Sequence, residues 1–131
     1  MGVVSVADTA YGHIATKEDQ VTEVRLVGAN TETAVRSYFS DIPVMIQIAR
    51  CESQFRQTLA DGTVLRGKVD PADTGVMQIN MRYHGEEARE LGLNLEDMYD
   101  NMAYARDLYE RQGTRPWTAS AACWSHTIAM R

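Results

Sequence analysis

Ile48-Ala49-Arg50-Cys51-Glu52-Ser53-Gln54-Phe55 sets a single acidic residue near the end of a segment that otherwise reads as buried. Walking back from Glu52, Ile42, Met45, Ile46 and Ala49 recur at three- and four-residue steps, and Val44, Ile48 and Phe55 carry the apolar surface further round. Gln47, Arg50 and Gln54 form the one polar strip. A helix apolar over most of its circumference belongs in the middle of a domain, so a carboxylate leaving it beside the main stripe is partly desolvated. Desolvation disfavours the charged form and raises the pKa. A glutamic acid kept protonated near neutral pH can hand its proton to a leaving oxygen, which a glycosidic bond needs in order to break. The plainer alternative is a surface Glu in a last helical turn, since buried acids are rare.

Further along come a turn-rich span, then Gly75-Val76-Met77-Gln78-Ile79-Asn80, then Asp100-Asn101-Met102-Ala103-Tyr104-Ala105-Arg106-Asp107-Leu108-Tyr109. The chain closes with Pro116-Trp117-Thr118-Ala119-Ser120-Ala121-Ala122-Cys123-Trp124. In this order, over roughly residues 38 to 124, it resembles the SLT-type lytic transglycosylases of the lysozyme superfamily. Their signature is a Glu-Ser pair ending a central helix, a Gly-Leu-Met-Gln-Ile-like segment beyond it, and an Asn-Ile-like helix after that.

The resemblance implies an α+β, mainly α, lysozyme-like fold with a central catalytic helix and a small β-hairpin. It makes Glu52 the catalytic acid and base, with Ser53 its helix-end neighbour. Gly75, Met77, Gln78 and Ile79 would line a sugar groove. Gly75 would let backbone approach the ligand, and Gln78 offers donor and acceptor to the acetamido and hydroxyl groups of an amino sugar. Asn101 would stand near the cleft. Met77 and Ile79 read equally as core, and Asn101 as a local cap or packing residue. The implied substrate is the peptidoglycan glycan strand, cut at the MurNAc-GlcNAc β-1,4 bond to leave 1,6-anhydro-muramyl ends.

The last motif departs from the family. Where a Tyr-Asn-Ala-Gly-like segment brings a tyrosine to the acid, this chain reads Ala122-Cys123-Trp124-Ser125. Trp124 or Tyr104 would stand in as an aromatic wall. Glycoside hydrolases pair their acid with a second carboxylate, for which Asp70 and Asp73 are the candidates. Both lie in Val69-Asp70-Pro71-Ala72-Asp73-Thr74-Gly75, where Asx residues beside Pro and Gly also serve plain turn chemistry. In the related goose-type lysozymes an aspartate follows the Met-Gln-Val run, and Asn80 stands there in this chain. That tilts the expectation from a hydrolytic lysozyme toward a transglycosylase. A non-catalytic peptidoglycan- or chitin-binding relative and a purely structural helical domain are the alternatives.

The chain has 131 residues, 44% of them hydrophobic, which suits a domain with a real core. A net charge of −5 with interspersed signs offers no basic stripe for nucleic acid. It gives no pull toward an anionic wall either. We expect residues 1–34 to be a partly helical extension without an interpretable motif, and residues 35–131 to be one compact lysozyme-like domain, a monomer without cofactor. His13, His84 and His126 are too scattered to suggest a metal site. Residues 1–15 form no signal peptide and no run approaches a membrane span. An extracytoplasmic place would then need an export signal outside this sequence, or release by lysis as for a phage-type enzyme.

Cys51 precedes Glu52, and Cys123 precedes Trp124. A disulfide between them would tie the end of the chain to the acid helix and favour an oxidising compartment. Two buried free thiols are the other reading.

The remaining punctuation places the elements. Thr16-Lys17-Glu18-Asp19 starts a helix through Leu26, stopped by Gly28-Ala29-Asn30, and Thr31 to Phe39 forms another. Asp41 caps the central helix, with Pro43 in its first turn. Thr58-Leu59-Ala60 and Thr63-Val64-Leu65 flank Asp61-Gly62 as a hairpin. Glu86 to Leu91 is a short helix stopped by Gly92. Asn94 and Asp97 make a capping box for a longer one carrying Leu95, Met98, Met102, Ala105 and Tyr109 and ending at Gly113. Thr118 caps a final short helix with Cys123 and Trp124.

Overall fold

The computed structural model describes residues 27–129, and the side chains of residues 30–127. Over that span the chain is α+β and mainly α. The elements are α1 (Val27–Tyr38), α2 (Pro43–Ser53), β1 (Asp73–Thr74), β2 (Ile79–Asn80), α3 (Met81–Glu90), α4 (Met98–Gln112), a 3-10 helix (Arg115–Ser120) and α5 (Ala121–Ala129). None of these helices is long and apolar enough to cross a membrane.

The helix expected over residues 16–26 lies outside the described residues. Its expected stop at Gly28-Ala29-Asn30 is not observed, because α1 runs through those three. A lone glycine costs a helix only about 1 kcal/mol, and Val35 and Phe39, both fully buried, anchor this one to the core. α1 also spans the boundary expected between residues 34 and 35.

α2 buries Met45 and Ala49 of the expected stripe together with Ile48 beside it, while Ile42 and Ile46 are partly buried against the core. Asp41 does not cap it. The N-cap position is Ile42, with no side-chain cap bond, because Arg106 holds the Asp41 carboxylate from α4 at 2.9 and 3.0 Å. α2 packs against α1, the 3-10 helix and α5. The Cys51–Cys123 disulfide crosses the α2–α5 seam with a Cα–Cα distance of 6.0 Å, and no cysteine is free. Of the two readings of the cysteines, the bonded one holds.

α3 starts at Met81, ahead of the expected Glu86, because the Asn80 side chain accepts the Arg82 and Tyr83 amides as an N-cap. Gly92, at φ +78°, follows its end. α4 is capped by Asp97, which accepts the Asp100 amide. The expected box is therefore displaced. Asn94 accepts the Glu96 amide, and Leu95 is buried ahead of the helix rather than on it. Gly113 ends α4 at φ +65°, as expected. Thr118 sits inside the 3-10 helix and donates to the Arg115 carbonyl, so it caps nothing.

The Asp61-Gly62 turn forms, with Gly62 donating to the Leu59 carbonyl at 2.9 Å. Its arms make one bridge, Thr58 to Val64, rather than a ladder. The second arm turns instead to β1: Arg66 bridges Thr74, and Gly75 donates to the Leu65 carbonyl. The paired strands are β1 and β2, antiparallel in the register Asp73 to Asn80 and Thr74 to Ile79.

Between those strands, residues 75–78 are held by three side chains from elsewhere. Gln57 Oε1 accepts the Val76 amide at 2.8 Å while its Nε2 donates to the Glu96 carbonyl at 2.9 Å. Asn101 Oδ1 accepts the Met77 amide at 2.9 Å, and its Nδ2 donates to the carbonyls of Thr74 and Leu95 at 2.9 and 2.8 Å. Trp117 Nε1 donates to the Met77 carbonyl at 2.9 Å. Buried backbone must find partners, and this short loop has no neighbouring strand to supply them. An unmet buried group costs about 1–3 kcal/mol, so Asn101→Ala should lose roughly 3 kcal/mol. Urea unfolding measures it, and a loss too small to resolve would remove Asn101 from this role.

Candidate active site

Glu52 lies in the last turn of α2. The helix ends abruptly there, because Gln54 and Phe55 both adopt left-handed backbone, at φ 55° and 59°. Such a conformation costs a non-glycine residue about 1–2 kcal/mol. Gln78 adopts it too, at φ 51°, with its Nε2 folded back to the Gly75 carbonyl at 3.0 Å. Strain of this kind gathers where a site holds groups in fixed positions. Here Gln78 lines the cleft, and Gln54 and Phe55 lie between Glu52 and Arg56, which line it too.

That cleft, of about 360 Å³, is lined by Glu52, Arg56, Arg66, Lys68, Asp73, Gln78 and Ser120 among others. A second hollow of about 280 Å³ shares Asp73 and Gln78 with it and continues past Asn80, Tyr83, His84 and Trp117. Asp73 and Gln78 thus form a common wall between two open depressions.

Burial pushes the Glu52 carboxyl above its ordinary range. The Ser120 hydroxyl opposes the shift, and the nearby charge of Asp73 adds to it. Ser120 Oγ donates to Glu52 Oε2 at 2.6 Å and in turn receives Trp124 Nε1 at 3.0 Å. Oε1 has no hydrogen-bond partner among the described residues. With Oε2 occupied as an acceptor, the proton of the neutral acid is steered to Oε1. The arrangement is a desolvated carboxyl, its pKa raised, with one oxygen anchored and the other available to a ligand.

Ser120→Ala removes the group that restrains this shift. The Glu52 pKa should rise further, moving the alkaline limb of any Glu52-dependent rate to higher pH, while the loss of orientation lowers the plateau by roughly tenfold. A pH–rate profile with an unmoved limb would show that Ser120 does not act through Glu52.

The two aspartates separate cleanly. Arg82 grips Asp70 at 2.8 and 3.2 Å, and with the Ala72 amide and Asn80 it holds that carboxyl down at about 2. Asp70 is spent on the turn. Asp73 accepts Asn80 Nδ2 at 2.9 Å, makes no ion pair among the described residues and faces both hollows.

No family model, curated protein or solved structure matches this chain.

Of the expected groove residues, Gln78 and Asn80 reach the hollows, and Ile79 contributes an edge. Asn80 also serves as cap and aspartate clamp. Met77, Asn101 and Tyr104 are fully buried, and Ser53 and Trp124 nearly so. They stand behind the wall rather than on it. Ser53 donates to the Ala49 carbonyl and accepts the Arg56 amide, fixing the helix end. Tyr104 forms no aromatic wall: its hydroxyl donates to Glu87, and burial with that bond pushes it up to about 12. Trp124 holds Ser120. Gly75, at φ +75°, is needed for a different approach from the one expected. A Cβ there would lie 2.6 Å from Asn101 Nδ2 and 2.7 Å from Gln57 Oε1, so the clamp rather than a ligand demands glycine.

Sequence reasoning missed Ser120 and Gln57. Neither lies in a periodic stripe, and no local pattern ties a serine beyond α4 to a glutamate in α2. Among the described residues no group of three or more His, Cys, Asp or Glu side chains could hold a metal ion.

Proposed function

We propose that this chain is a peptidoglycan lytic transglycosylase with a lysozyme-like domain, acting through Glu52 as its single catalytic acid and base. The observation that carries the reading is Glu52 itself. It is desolvated at the end of the central helix, with one oxygen held by Ser120 and the other free in an open cleft. The order of the Glu52-Ser53, Gly75-to-Asn80 and Asn101 segments along the sequence supports the same assignment, and Glu52 and Gln78 line one cleft.

In this mechanism Glu52 protonates the glycosidic oxygen as the bond from C1 breaks, and the acetamido oxygen of the same sugar closes on C1. Glu52, now a carboxylate, then takes the proton of the C6 hydroxyl, whose oxygen displaces the acetamido group. No water is consumed, and a 1,6-anhydro end results. Gln78, at the wall between the hollows, offers its amide to sugar hydroxyl or acetamido groups.

A hydrolytic lysozyme is the second reading, and Asp73 favours it. This carboxylate faces the same cleft without an ion-pair partner and could orient a water. The reducing power of the cytoplasm would oppose the Cys51–Cys123 bond, so we place the protein outside it.

Purified peptidoglycan incubated with the protein and with Glu52→Gln, followed by mass spectrometry of soluble products, tests the proposal. Glu52-dependent anhydro-muramyl ends establish the transglycosylase. Ends heavier by one water establish hydrolysis and bring Asp73 forward. No products from folded protein would leave a binding module.

A further inference from the structure

The cleft beside Glu52 carries an electrostatic sign opposite to that of the chain. Against a formal charge of −5 overall, three cations, Arg56, Arg66 and Lys68, line this one depression. Arg66 is internally satisfied, with Nη2 donating to Glu96 Oε2 and Nη1 to Thr74 Oγ1, both at 2.6 Å. Arg56 is held by its Nε alone, which donates to the Ser53 carbonyl at 2.9 Å. Among the described residues, neither its two terminal nitrogens nor Lys68 has a hydrogen-bond or ion-pair partner. Asp73 is the one other carboxylate in the lining besides Glu52. Around Glu52, then, two cations without an ion-pair partner among the described residues, Arg56 and Lys68, face the single other carboxylate of the lining, Asp73. Neutral sugar hydroxyls need no such wall.

Resting on the proposed function, we infer that Arg56 and Lys68 bind a carboxylate carried by the glycan, and so select the muramyl polymer over neutral chitin. The carboxylate hangs from the 3-O-lactyl arm, either as that group itself or at the end of an attached peptide. Arg56 leaves the loop that follows Glu52, so it can fix the anion close to the acid, and a guanidinium fork grips a carboxylate through two donors. Lys68, on the loop leading to Asp70, supplies a mobile point charge.

Three soluble substrates test this: peptide-bearing glycan, the same glycan stripped by an amidase to the lactyl carboxylate, and a neutral N-acetylglucosamine oligomer. The native protein should prefer the carboxylate-bearing strands. In the double variant Arg56→Gln, Lys68→Gln that preference should fall about three- to tenfold, mainly through KM, as expected for rim charges. Raising the salt should produce the same loss in the native protein. Arg89→Gln, a surface cation on α3 outside the cleft, controls for net charge and should leave the preference intact. Loss on peptide-bearing glycan alone places the anion on the peptide; loss on the stripped glycan alone places it on the lactyl arm, whose carboxyl is an uncharged amide while the peptide is attached; loss on both means that the pair takes either carboxylate. Equal rates on all three substrates, or a preference that survives the double variant, overturns the inference while leaving the transglycosylase reading standing. If no substrate yields Glu52-dependent products, the enzyme reading falls. Calorimetric titration with a soluble muramyl peptide then decides the anion site by itself: weaker binding in the double variant upholds it, and unchanged binding removes it.

Discussion

Glu52→Gln should abolish turnover on peptidoglycan and at the same time make the protein more resistant to unfolding near neutral pH. General acid–base assistance contributes about 10²–10⁴-fold, and in the proposed mechanism one residue supplies both halves of the proton cycle, so the loss should lie at the upper end of that range. Glutamine keeps the acceptor for Ser120 Oγ and loses the proton. The stability gain follows from the direction of the shift. Burial holds the Glu52 carboxyl above its ordinary value of 4.5 in the folded protein, so above that value the folded state retains a proton that the unfolded chain has released. Stability therefore declines as pH rises from the ordinary carboxylate value to the raised one, and the whole penalty is present beyond it. Glutamine has no such penalty. Thermal unfolding of both proteins at about pH 4 and about pH 8 should show curves that nearly coincide in acid and separate, with Glu52→Gln higher, in base. A Glu52→Gln protein that is less stable at the higher pH would mean that the carboxylate is welcome in its site, and the acid role would lose its foundation. Any Glu52-dependent rate should fall as pH rises through the raised carboxyl value, at the upper end of the interval in which stability declines.

Removing the disulfide is expected to be the costliest single change to stability. Cys51 and Cys123 are 72 residues apart, and the chain-entropy account of so long a loop gives about 4 kcal/mol. In a domain of this size that corresponds to a fall in Tm of roughly 10–20 °C. The bond also sits beside the reactive groups in sequence: Cys51 precedes Glu52, and Cys123 precedes Trp124, which holds Ser120 on the acid. Cys51→Ser with Cys123→Ser should therefore weaken the Ser120 restraint as well as the fold, and activity should decline at temperatures where the variant is still folded. Calorimetry of the double variant, and of native protein with and without reductant, measures the first effect. A Tm within a few degrees of native would show that the packing of α2 on α5 suffices without the bond.

The acid helix was the most legible part of this chain. Its apolar period requires a central position, and the structure buries Met45, Ile48 and Ala49 accordingly. Gly113 was equally readable as an ending, since few other residues accept its backbone at low cost. Errors cluster where a side chain chose a distant partner over a local one. Asp41 had the chemistry of a cap, but a bidentate arginine from α4 outcompetes a single amide. Asn80 lines the second hollow and is also a helix cap, a role its place in the sequence did not announce. The Asp61-Gly62 turn formed, yet its second arm bridges β1, Arg66 to Thr74, with Gly67 donating to the Asp73 carbonyl and Gly75 to the Leu65 carbonyl.

By itself the sequence determined the mainly helical class, the central placement of Glu52 and the pair of cysteines able to lock it, because hydrophobic period and turn chemistry act over a few residues. Tertiary structure alone decided which groups touch the acid and which support it. Ser120 reaches Glu52 across 68 residues, Asn101 and Gln57 turn inward to clamp the loop at Gly75, and Asp70 is withdrawn by Arg82 while Asp73 stays in the cleft. Each of these is a hydrogen bond or ion pair between segments far apart in the chain, and such a bond is selected by the geometry of the packed helices rather than by any local pattern.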